Sequence, residues 1–157
     1  MNKPIAIGCD PNASALKKVL IEYISSLGFE VEDYGSDDII YANTAYIVAR
    51  AVTEGKHDRA VLLCGTGLGM CLAANKVPGA YAVTCTDEYS VERSILSNNA
   101  NILTMGAKVV SDEIAKRLVK VWISVRYVPG GRSQTKIDRI YEIEREYTGA
   151  KQQKDKE

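Results

Sequence analysis

Two rhythms of hydrophobic and polar positions trade places along this chain. Short apolar runs at residues 4–9 (PIAIGC) and 60–64 (AVLLC) read as strands buried on both faces. Residues 29–34 (FEVEDY) alternate as a half-buried strand does, and 81–84 and 101–105 give two further strand-like runs. Between them the helical repeat takes over. Residues 14–27 place Leu16, Val19, Leu20 and Tyr23 on one face and stop at Gly28. Residues 43–54 are helical and stop at Gly55, and 67–76 form a short helix after a glycine-rich turn. Asp87 caps a helix over 87–98, and Ser111 caps one over 111–125. After the breaker Pro129-Gly130-Gly131, a last helical pattern covers 132–147.

Strands alternating with helices in this way predict an α/β fold. The expected architecture is a Rossmann-like three-layer sandwich: a five-stranded parallel sheet, helices on both faces, and a C-terminal helix. The length of 157 residues suits one domain with a real core. Residues 1–148 read as that domain, and 149–157 (GAKQQKDKE) as a polar, disordered tail. In such sheets ligands bind beyond the carboxyl ends of the strands. Those ends carry Cys9-Asp10-Pro11-Asn12, Cys64-Gly65-Thr66-Gly67-Leu68-Gly69, residues 84–87 and residues 105–108.

Composition narrows the chemistry. Twenty Lys and Arg balance 20 Asp and Glu, which argues against a nucleic-acid binder built on a basic surface. No apolar run approaches the ~20 residues of a membrane span, and the opening MNKPIAIGCD is too short in apolar residues for a signal peptide. Four Cys without a C-x-x-C pair make a zinc site improbable and read as reduced thiols in a cytoplasmic protein. His57, the single His, sits in the polar stretch GKHDR and reads as a solvated loop residue. A Ser-His-Asp triad, a two-His metal site or a His relay would have to be built on it. No metal and no cofactor are expected.

The strongest local signal is Cys64-Gly65-Thr66-Gly67-Leu68-Gly69-Met70. Alternating glycines let the backbone approach a ligand, and the following helix points free N–H groups at it. Met70 breaks a dinucleotide fingerprint, so an oxidoreductase of that kind is a weak alternative, and no Gly-Lys-Ser/Thr follows to make a P-loop. A tight strand-to-helix turn around a buried Cys accounts for the glycines equally well. Cys64 itself, at a helix start, is biased toward thiolate and can serve as nucleophile or base. Cysteine hydrolases pair Cys with His, whereas a base role needs no such partner. Cys9, Cys71 and Cys85 read as core residues. Arg132 and Lys136 stand four apart on one helix face, where either a phosphate or plain solvation accounts for them; Lys108 adds a third cation past a strand end.

Taken together, IAIGCD, LLCGTGLGMCLAANKVPG, SNNANILTMGAK and GGR resemble the ribose-5-phosphate isomerase B / galactose-6-phosphate isomerase family, over about residues 3–140. The resemblance implies sugar-phosphate isomerisation by a homodimer or tetramer with active sites shared between subunits. It implies Cys64 as the base that moves a proton between C1 and C2 through a cis-enediolate. Thr66 and the amides of Gly65, Gly67, Leu68 and Gly69 would hold the developing oxyanion. Asp10 would orient substrate oxygens, and Asn98 would bind substrate across the subunit boundary. Arg132, Lys136 and Lys108 would clamp the phosphate.

Two departures from the family pattern stand out. Pro11 replaces a His after the first strand, and Ser97 replaces the His that precedes Asn98 and opens the sugar ring. A tetrose 4-phosphate cannot close a furanose through its esterified C4 oxygen, so it needs no ring opener. YSVERSILSNNANILTMGAK also resembles the erythrulose 4-phosphate isomerases of tetritol catabolism, a branch with Ser before Asn-Asn-Ala. These features favour D-erythrulose 4-phosphate and D-erythrose 4-phosphate over ribose 5-phosphate. A non-catalytic sugar-phosphate binding subunit is the alternative of another class.

Overall fold

The computed structural model describes residues 3–154. Five parallel strands form one sheet in the order β2-β1-β3-β5-β4. They are β1 (Ile5–Cys9), β2 (Val31–Asp33), β3 (Ala60–Cys64), β4 (Ala82–Thr84) and β5 (Ile102–Gly106). The helices are α1 (Ser14–Ser26), α2 (Tyr41–Thr53), α3 (Leu68–Ala74), α4 (Glu88–Leu96), α5 (Asp112–Ser124) and α6 (Gln134–Lys154). A 3-10 turn, Pro11–Ala13, leads from β1 into α1. The three-layer α/β expectation therefore holds.

The apolar runs become strands because both faces of this sheet are covered. Every residue of β1, β3 and β5 is buried. Helices α1, α4 and α5 cover one face, where Leu20, Ile24, Val91, Ile95, Leu118 and Trp122 join strand residues in one core. Helices α2 and α3 cover the other, with Val48, Ala49, Met70 and Ala74. Asp87 and Ser111 cap α4 and α5 through their side chains, as their positions predicted. Charged Lys17 lies on the buried face of α1 because Asp33 at the end of β2 meets its Nζ at 2.6 Å.

Two expectations need revision. His57 is not a solvated loop residue: it is 2% exposed. Its Nδ1–H donates to the Pro4 carbonyl at 2.7 Å, and the Tyr34 hydroxyl lies 2.8 Å from Nε2. Polar turn composition located the loop correctly, but the neighbouring β1 and β2 segments fold over the ring. The C-terminal helix also runs past residue 147, to Lys154, so part of the segment expected to be disordered is helical. Residues 155–157 lie outside the described residues. Helix α6 packs on its own domain through buried Ile137 and through Glu144, which accepts from the Gly79 amide at 3.0 Å and the Tyr81 hydroxyl at 2.7 Å.

Candidate active site

The chain leaves β1 toward β2 on one side and reaches β3 on the other. The crevice at that reversal is where open α/β sheets take ligands. Register pairs Cys9 with Leu63, so Asp10 and Cys64 emerge side by side at the carboxyl edge. The Asp10 amide donates to the Leu63 carbonyl at 3.2 Å. Asp10 is buried, and its carboxylate accepts from the Asn12 amide at 3.0 Å and the Asn12 side chain at 3.1 Å. Pro11 opens the 3-10 turn and is exposed.

The loop after β3 is held tightly. Cys64 is buried, and its Sγ accepts from the Gly67 amide at 3.0 Å. Gly67 has φ +81°, and a Cβ there would stand 2.7 Å from the Met105 carbonyl carbon. Only glycine fits both conditions. Thr66 is exposed, and its Oγ1 accepts from the Leu68 amide two residues on, at 3.3 Å, where α3 begins. The loop after β5 is stitched on top: Ala107 N–H donates to Cys64 O at 2.8 Å and Lys108 N–H to Gly65 O at 3.0 Å. The Lys108 side chain then lies along Gly65. The result is a rigid thiol, a hydroxyl, successive amides, a carboxylate and one ammonium gathered at one edge. That set can hold an oxyanion and present a sulfur base to a bound carbon acid.

Burial pushes Cys9 and Cys85 up to about 11, which keeps them protonated. Cys71 is half-buried and points its Sγ at the Ala82 carbonyl, 3.4 Å away.

Ser97, Asn98 and Arg132 are elsewhere. Ser97 caps the end of α4, and Asn98 follows it, exposed, ahead of β5. Cys64 pairs in register with Gly106 at the far end of that strand. Five strand residues at ~3.3 Å each put about 16 Å between the two edges. Ser97 and Arg132 line a hollow of about 160 Å³ at this second edge. Arg132 lies in the turn before α6 and Lys136 in the first turn of α6, both exposed. One chain thus brings together Asp10, Cys64, Gly65, Thr66, Gly67, Leu68, Gly69 and Lys108. It keeps Ser97, Asn98 and Arg132 apart from them.

Two residues escaped the sequence reading. Tyr41 lies over Gly69: a Cβ there would run into the Tyr41 ring. Nothing in the spacing around Tyr41 pointed to this. Arg93 shares the hollow of Ser97 and Arg132. Its position four residues before Ser97 on a helix was a usable signal.

The ribose/galactose isomerase family model matches residues 5–140. A protein named D-erythrulose-4-phosphate isomerase, from Pectobacterium atrosepticum, is 43% identical over 140 residues, 87% of this chain and 91% of that one. Ribose-5-phosphate isomerase B of Escherichia coli is 40% identical over 145 residues, 90% of this chain and 97% of that one. The solved structure of ribose-5-phosphate isomerase B from Clostridium thermocellum superposes with a TM-score of 0.86 at 39% identity, covering 92% of this chain and 99% of that one.

Proposed function

We propose that this chain, which belongs to the ribose/galactose isomerase family and is a sugar-phosphate isomerase, interconverts D-erythrulose 4-phosphate and D-erythrose 4-phosphate. Cys64 removes a proton from the carbon beside the carbonyl and returns it to the neighbouring carbon through a cis-enediolate. The amides of Gly65, Gly67, Leu68 and Gly69, with Thr66, receive the enediolate oxygen charge. Asp10 orients the substrate hydroxyls. The observation that carries this reading is the held geometry of Cys64 beside Asp10 and an amide-lined turn.

Ser97 is the ground for preferring a tetrose. It offers no group that titrates near neutral pH, so ring opening has no acid–base catalyst at that position. A tetrose 4-phosphate has no furanose to open. A relative at 43% identity carries the erythrulose-4-phosphate isomerase name, and one at 40% the ribose-5-phosphate name, so both substrates belong in the assay.

The separation of the two sheet edges supports a shared active site. Asn98, Ser97, Arg132 and Lys136 reach a Cys64 crevice only in a second copy of the chain, as a homodimer or within a tetramer. Exposed Ile39 and Ile40 just before α2, Ile47 on α2, and Leu68 and Leu72 on α3 offer that copy an apolar surface. The enzyme works in the cytoplasm, where its thiols stay reduced.

Two measurements test the reading. Activity on both substrates decides the sugar: a kcat/KM on ribose 5-phosphate tenfold above that on erythrulose 4-phosphate, about 1.4 kcal/mol of transition-state preference, refutes the tetrose assignment. Cys64→Ser is expected to abolish solvent proton exchange into bound substrate while binding survives. Unchanged exchange removes Cys64 from the base role, and exchange absent in the parent as well would mark a binding subunit.

A further inference from the structure

A hollow of about 280 Å³ opens at the amino ends of β1 and β3, beside the end of α5 and away from Cys64. Three cations line it, Lys3, Arg59 and Arg126, against one carboxylate, Asp58. Asp58 is already held by the Lys3 ammonium at 2.8 Å. Neither guanidinium forms an ion pair among the described residues. For Arg59 this is costly, because the residue is only 8% exposed and buried charges are normally paired.

The end of α5 accounts for part of the arrangement. Arg59 Nη1 donates to the Trp122 carbonyl, and Arg126 Nη1 donates to the Ile123 and Val125 carbonyls at 2.6 and 3.0 Å. Helix-end carbonyls favour cations there. That occupies one nitrogen of each guanidinium. The remaining Arg59 nitrogens are not sealed off in the protein interior. Burial, and then the charge of Arg126, push the Arg59 guanidinium down to about 10. Asp58, which lines the same hollow, offsets this only in part, and neither guanidinium has it as an ion-pair partner.

We infer that this hollow is a second anion site, distinct from the crevice at Cys64 and from the hollow of Ser97 and Arg132, and that it takes the phosphate group of a small phosphate monoester. Three cations against one carboxylate leave two positive charges, which match a phosphate near −2 at neutral pH. Planar guanidinium forks suit phosphate oxygens. Ile5, Phe29 and Tyr127 supply apolar wall for a short carbon chain. The volume falls just below the ~300 Å³ at which drug-sized small-molecule sites begin, which suits a ligand smaller than those.

Trp122, the single tryptophan, reports on the site, because the Arg59 guanidinium carbon lies 5.3 Å from its ring centroid. Tyr127 lines both this hollow and that of Ser97 and Arg132, so the two must be separated experimentally. The full chain is titrated with inorganic phosphate against chloride at matched ionic strength, following Trp122 emission. The parent and the Arg132→Gln/Lys136→Gln variant are both expected to give a saturable change. Adding Arg126→Gln, at an exposed position, is expected to weaken it about tenfold or more. Arg59→Lys, which keeps charge but loses the fork, is expected to fall between.

Three results overturn the inference. One is a parent response no different from chloride. Another is an Arg126→Gln titration equal to the parent's. The third is loss of the signal in Arg132→Gln/Lys136→Gln. Turnover lost in that double variant while the phosphate response persists bears on the catalytic reading alone.

Discussion

Gly67 joins the backbone of the β3 loop to its chemistry, and Gly67→Ala tests that link quantitatively. Its φ of +81° costs an L residue roughly 1–2 kcal/mol. The new Cβ would also stand 2.7 Å from the Met105 carbonyl carbon and 3.0 Å from its Cα and N. All three are backbone atoms, and the loop bonds from Ala107 and Lys108 prevent them from moving independently. Overpacking of this kind adds about 1–3 kcal/mol. Reduced freedom of the unfolded chain returns up to about 1 kcal/mol. The net loss is about 1–5 kcal/mol; the midpoint of about 3 kcal/mol is a fall in Tm of roughly 6–12 °C for a domain of this size. Gly28→Ala is the control: its φ is +87°, but nothing lies within 4 Å of the added carbon. That variant should lose only about 1 kcal/mol. Differential scanning calorimetry reads both. Turnover should fall further in Gly67→Ala than stability explains, because the Gly67 amide is the donor to Cys64 Sγ. Equal melting temperatures for the two variants would show that the Met105 contact relaxes freely and would refute the rigid-loop argument.

Two further predictions concern the ion pair and the histidine. Burial works to raise the Asp33 carboxyl, but the Lys17 ammonium and the Gly35 amide outweigh it and hold it below the usual carboxylate range. A lowered carboxylate contributes stability that is full above the unfolded value, about 3.9, and lost as pH falls through the folded one. The gap in Tm between the parent and Asp33→Asn should therefore shrink as pH drops below about 4; a constant gap speaks against the pair. His57→Ala should cost about 2–3 kcal/mol in urea unfolding, since it strands the Pro4 carbonyl and the Tyr34 hydroxyl. A loss under about 0.5 kcal/mol would mean the buried ring does little to hold β1 to β2.

What the sequence made legible follows from periodicity. Buried parallel strands must be apolar on both faces, so residues 60–64 could hardly be anything else. Boundaries moved where a strand has one neighbour: the strand expected over 29–34 shrank to Val31–Asp33, which pairs only with β1 at the sheet edge. His57 was misplaced for a different reason. GKHDR carries turn chemistry, and turn chemistry says nothing about which strands close over it. The hydrogen bonds that bury the ring come from Pro4 and Tyr34, far away in sequence. Lys17 is similar: its partner, Asp33, lies 16 residues on.

The division of the candidate site between two edges was open to deduction from strand polarity. In a parallel sheet every segment that leaves a strand emerges at the carboxyl edge, and every segment that leaves a helix returns at the amino edge. Asp10 and Lys108 follow strands, and Cys64 ends one. Ser97 and Asn98 follow α4 and lead into β5, so they belong to the opposite edge whatever the details of packing. Arg132 follows α5 and shares a hollow with Ser97. Family resemblance pools all of these residues into one list, and a list has no edges. Strand polarity separates them again, and the separation of about 16 Å exceeds the reach of any side chain in the set. On the proposed mechanism, Cys64 and Lys108 on one side, and Asn98, Arg132 and Lys136 on the other, must therefore serve one sugar from different copies. Mixing Cys64→Ser with Asn98→Ala subunits should then restore a fraction of the activity that each variant lacks alone.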